Sequence, residues 1–94
     1  MALYLISYDI AAKDTFEYQP LWDKLRQLGA TRILYSEWVV VAEVKQAASI
    51  YDQIAPLTSQ SDRLLVQELT KDATWDKLLI TDDKFKELLL SARG

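Results

Sequence analysis

Thr31-Arg32-Ile33-Leu34-Tyr35-Ser36-Glu37-Trp38-Val39-Val40-Val41-Ala42-Glu43 carries the strongest strand signal in the chain. Residues 31–35 and 38–43 are both rich in β-branched and aromatic side chains, the composition of half-buried strands. Only Ser36 and Glu37 separate them, a link short enough for a tight hairpin. The Asn-Gly or Gly-Gly signal of the favoured turns is missing, and a bulge or one bent strand fits the same pattern.

Upstream, Gly29 is a natural residue to end a helix, because it takes a left-handed conformation at no steric cost. Leu21, Leu25 and Leu28 precede it at i, i+4, i+7, flanked by Tyr18 and Trp22, which predicts an amphipathic helix. Pro20 marks the first turn of that helix, with residues 16–19 as a looser lead-in. Asp14 or Thr15 offers a cap, and Glu17 suits the positive end of the helix dipole. Before the connection at 11–15, Leu3-Tyr4-Leu5-Ile6-Ser7-Tyr8 reads as a strand ending at Asp9.

Downstream, residues 46–57 carry Ala47, Ile50, Tyr51 and Ile54 at helical spacing, with Pro56 near the end. A polar turn at 58–62 leads into a fourth strand at 63–69. Residues 75–79 and 82–90 read as two short helical pieces. Asp82 or Asp83 caps the second, which buries Phe85, Leu88 and Leu89.

The order is β-α-β-β-α-β plus a C-terminal helical tail. Its simplest packing is an α+β, ferredoxin-like sandwich, an antiparallel sheet with two helices on one face. Residues 1–94 form one domain, with a core at about 2–70 and a helical extension at about 74–92. Both faces of the sheet are apolar in sequence: Leu3, Leu5, Val39 and Val41 alternate with Tyr4, Ile6, Tyr8, Trp38, Val40 and Ala42. Two helices cover one face. The other must be covered by the tail or by a second subunit, and a two-fold homodimer is the commonest solution.

Composition narrows the chemistry. The chain has no cysteine and no histidine, which removes disulfides, thiolate nucleophiles and imidazole acid–base catalysis. Carboxylates, hydroxyls, amines or an oxygen-bound hard cation must carry any reaction. The formal net charge of −3 runs against the basic excess of dedicated nucleic-acid binders, although it permits a local basic rim. No apolar run is long enough to span a bilayer, and the N-terminus lacks the basic region of a signal peptide. A cytoplasmic protein with no membrane partner is expected.

Leu3-Tyr4-Leu5-Ile6-Ser7-Tyr8-Asp9-Ile10 resembles the first strand of the small CRISPR-associated "Cas two" family, which closes that strand with aromatic-Asp-Ile. Gly29-Ala30-Thr31-Arg32-Ile33-Leu34-Tyr35-Ser36 is similar to the family's second signature, a Gly after helix 1 leading into an Arg-containing strand and a Ser at the hairpin. The likeness spans roughly residues 2–70. It implies a ferredoxin-like homodimer of antiviral defence, either a metal-dependent nuclease or an adaptor that helps an integrase-type partner capture DNA.

Asp9 is then the candidate catalytic and metal-binding residue. In a two-fold dimer its two copies would share Mg²⁺ or Mn²⁺ to activate water. The plainer reading is a strand-ending Asp that hydrogen-bonds its loop. Lys24, Arg26 and Arg32 are the candidate phosphate contacts, with Arg63 beside them, against the alternative of a solvated charged face. Ser36 either positions a phosphate or satisfies the turn. Tyr8 and Tyr35 either border a site or pack with a wet hydroxyl. Trp22, Trp38 and Trp75 either stack on bases or fill core. A non-enzymatic protein–protein interaction module, with Asp9 structural, is the competing function. Small-ligand binding is a weaker third, because no Gly-rich phosphate loop is present.

Overall fold

The computed structural model describes residues 1–10, 18–70 and 72–91. The elements are β1 (Ala2–Asp9), α1 (Gln19–Gln27), β2 (Thr31–Leu34), β3 (Glu37–Ala42), α2 (Ala47–Ile54), a 3-10 turn (Ala55–Leu57), β4 (Arg63–Leu69) and α3 (Asp82–Ser91). The strands form one sheet in the order β2-β3-β1-β4, antiparallel at every pairing. The molecule is thus a small α+β protein with a four-stranded antiparallel sheet.

Period-2 alternation divides the sheet into two apolar faces. Tyr4, Ile6 and Tyr8 of β1 join Trp38 and Val40 of β3 on one face, where Leu21 and Leu25 of α1 and Ile50 and Ile54 of α2 cover them. Tyr51, on the expected α2 stripe, is exposed instead. The Tyr4 hydroxyl closes this layer. It donates to the Glu43 carbonyl at 2.7 Å and accepts the Gln46 amide N–H at 2.9 Å, which ties the end of β3 to the entry of α2.

The opposite face carries Leu3, Leu5, Val39 and Val41 with Ile33 and Leu69. The tail covers it, through Trp75, Leu78, Ile80, Phe85, Leu88 and Leu89. Phe85 is buried and meets Trp75 edge-to-face, with ring centroids 4.7 Å apart. The chain's own tail is thus one cover of the second apolar face.

Several expectations are refined. Gly29 does take a left-handed φ of +84° after α1. Its N–H bonds to the Arg26 carbonyl and that of Ala30 to the Leu25 carbonyl, which satisfies two orphan carbonyls of the helix end. Pro20 sits in the first turn of α1, as expected. Asp14, Thr15 and Glu17 lie outside the described residues. Residues 75–79 are not helical. Lys77 has φ +57°, and the Leu79 N–H reaches across to the Ile33 carbonyl at 2.9 Å on the outer edge of β2. The cap of α3 is Thr81, whose hydroxyl accepts the Lys84 N–H at 3.1 Å. Asp82 instead accepts the Trp75 indole N–H at 3.0 Å.

Candidate nucleic-acid interface

The β2–β3 hairpin places Arg32 directly across from Trp38, and the register slips by one residue between Arg32 and Leu34. That slip is the bulge the short Ser36-Glu37 link permits, and it lets Tyr35 and Ser36 close the turn. Arg32 bends back over this turn. Its Nε donates to the Tyr35 carbonyl at 3.1 Å, and its Nη2 donates to the same oxygen.

Three rings surround the guanidinium carbon of Arg32. Trp22 lies 5.1 Å away by its ring centroid, Trp38 5.7 Å and Tyr35 6.0 Å, all within cation–π range. Arg26 of α1 stands 5.6 Å from the same Trp38 ring. Helical geometry explains this: Trp22 and Arg26 are i, i+4 and share the flank of α1 that faces the hairpin. Lys24 projects about 200° around the helix from Arg26, on the other flank. The structure therefore brings Arg26 and Arg32 together and leaves Lys24 apart.

The Tyr8 hydroxyl fixes the aromatic seat. It accepts the indole N–H of Trp22 and that of Trp38, each at 3.0 Å, and makes a long 3.5 Å contact to the Tyr35 carbonyl. Tyr8 is thus a buried acceptor for two indoles and not a packing residue with a wet hydroxyl. Trp38 is core, as the plainer reading held, and Trp22 is half-buried beside it. Trp75 belongs to the tail.

The charges differ in how they are answered. Arg26 makes an exposed 3.4 Å ion pair with Asp23, of the kind that contributes at most about 1 kcal/mol. Arg32 has no carboxylate partner among the described residues. Two of its five N–H groups serve the Tyr35 carbonyl, and the other three have no hydrogen-bond partner among the described residues.

Asp9 closes β1 at the same end of the sheet as the hairpin turn, where the Tyr8 N–H bonds to the Ser36 carbonyl. It lies directly opposite Arg63 of β4 and pairs with it at 3.0 Å. Both side chains are largely exposed, at 69% and 84%. Hard cations such as Mg²⁺ take about six oxygen ligands. Among the described residues, no group of three or more acidic side chains could hold such an ion. Asp9 brings one carboxylate, and Arg63 already answers its charge. Arg63 pairs with Asp9 at the β4 side of the sheet, away from the aromatic seat that Arg26 and Arg32 share. Ser36 is exposed at the turn and engages the fold through its backbone carbonyl.

Sequence reasoning treated the tryptophans as core and the arginines as rim, separately. The signal joining them was the spacing of Arg32 and Trp38 about a two-residue turn, which becomes a cross-strand pair only once the bulge fixes the register. No protein-family model matches the chain.

Proposed function

We propose that this protein is a ferredoxin-like nucleic-acid-binding domain that recognises phosphate through Arg26 and Arg32, and that it works by binding rather than catalysis. The β-α-β-β-α-β order, with β1 and β3 as the inner strands of the sheet, supports the fold assignment. The observation that carries the function is Arg32. It is a half-buried guanidinium seated on aromatic rings, without a carboxylate partner among the described residues, and it stands against the same indole as Arg26. Arginine forks match phosphate geometry, and a pre-positioned fork loses little entropy on binding. The resemblance to the CRISPR-associated adaptor family points the same way. The ion pair between Asp9 and Arg63 supports a structural role for Asp9 over a catalytic one.

The test is binding of a labelled oligonucleotide at about 50 and 200 mM salt. Two phosphate contacts on a single strand give a slope of log affinity against log salt near −1.4, from about 0.7 per contact. Arg26→Glu removes one contact while leaving the core untouched, and halves that slope. Arg32→Lys keeps the charge but loses the fork, and weakens binding without changing the slope. An oligonucleotide that does not bind at about 50 mM salt overturns the proposal. In that outcome the protein–protein interaction module takes its place, with β4 and its exposed Leu65 as the available edge.

A further inference from the structure

Resting on that reading, we propose that Tyr35 is a stacking platform for an unpaired base, so that the ligand is a single-stranded or locally opened nucleic acid.

Tyr35 is 78% exposed, the most exposed of the chain's large hydrophobic residues among those described. An isolated apolar residue on a surface needs no explanation by itself. Here the backbone beneath the ring is unusually well fixed. The Tyr35 carbonyl takes two N–H groups from Arg32. The next carbonyl, that of Ser36, takes the Tyr8 N–H at 3.1 Å. The chain thus holds an aromatic ring out into solvent on a rigid tip, which is the pre-organisation that makes stacking efficient.

The cation sits where the stacked base needs it. Arg32 lies 6.0 Å from the Tyr35 ring, with three N–H groups that have no partner among the described residues. A base laid on Tyr35 brings its own phosphate to the neighbourhood of Arg32, and Arg26 serves an adjoining phosphate. In a duplex the base faces are already stacked on one another and unavailable. Exposed aromatics beside a basic groove are how sequence-tolerant single-strand binders work. The plan of one aromatic and two arginines also fits a chain of net charge −3, because it needs no broad basic surface.

The experiment titrates the full chain with three probes of equal length: a single-stranded oligothymidine, a duplex, and an abasic single strand that keeps the sugar-phosphate backbone. Tyr35→Ala and Tyr35→Leu are measured beside the unmodified protein, with melting temperatures recorded for each. The Leu variant keeps an apolar side chain and controls for loss of packing over Arg32. Both substitutions are expected to weaken oligothymidine binding by about 5- to 150-fold, the range for one stacked base. Affinity for the abasic strand stays the same in all three proteins, and Tyr35→Trp retains full affinity for oligothymidine. Equal affinity of the unmodified protein for the oligothymidine and the abasic strand overturns the stacking role while leaving phosphate recognition in place. So does a Tyr35→Ala protein that still binds oligothymidine normally. Failure to bind any of the three probes overturns the phosphate-binding reading and this inference with it.

Discussion

Phe85→Ala tests whether the tail belongs to the folded unit. Phe85 is buried at 4% exposure, in contact with the face built from Leu3, Ile33 and Val39 and edge-on to Trp75. Truncating a buried Phe removes its transfer free energy and leaves a cavity, together about 3–5 kcal/mol. The loss is bounded above by the docking energy of the tail, since the tail can detach once Phe85, its one fully buried residue among those described, is gone. For a chain of 94 residues, unfolding entropy of about 2.1 cal/mol/K per residue makes 1 kcal/mol worth about 5 °C, so the expected fall in Tm is about 15–25 °C. Thermal and urea unfolding followed by circular dichroism read this directly. A detached tail also uncovers Leu3, Leu5, Val39 and Val41, so light scattering at micromolar concentration should give a higher mass than for the unmodified protein. A drop in Tm below about 5 °C, with the mass unchanged, would refute the account of the tail as the cover of the second face. A stable dimer of the unmodified protein would show that another surface drives association.

Tyr8→Phe leaves two indole N–H groups without their acceptor, one of them on the buried Trp38. Each unsatisfied buried donor costs about 1–3 kcal/mol, and near-ultraviolet circular dichroism of the tryptophans should change alongside stability. Gly29→Ala meets no atom within 4 Å, so its whole cost is the left-handed backbone at φ +84°, about 1–2 kcal/mol in an equilibrium unfolding titration. Asp9→Asn breaks an exposed pair with Arg63 and should change stability by at most about 1 kcal/mol. The shift in its melting temperature on adding millimolar Mg²⁺ should equal that of the unmodified protein. A Mg²⁺-dependent stabilisation lost only in Asp9→Asn would restore the metal-site reading.

Periodicity made much of this fold legible. Leu21, Leu25 and Leu28 announce α1 because a buried helix face repeats every 3.6 residues, and Gly29 announces its end because few other residues accept that φ. The polar run at 58–62 isolates β4, whose observed bounds Arg63–Leu69 match the expectation. Residues 75–79 were illegible for a physical reason. Trp75, Leu78 and Leu79 have helical spacing, yet sheet contacts of Trp75 and Leu78 and the bond from Leu79 to Ile33 outweigh a short helix. At the candidate site, Arg26 and Arg32 were legible as cations. Their common aromatic seat was not, because it depends on a one-residue slip at Ile33 that composition does not encode. The same is true of Tyr8, which joins indoles 14 and 30 residues away in sequence.

The bond from Leu79 to the Ile33 carbonyl makes the sheet lopsided. One border, along β2, is occupied in part by the molecule's own tail. Along β4, among the described residues, no backbone bond reaches the outward side. Another strand joining along β2 would have to displace that bond, and one joining along β4 would not. Open-ended stacking into a fibre requires two sticky borders per copy, and here the tail blunts one of them.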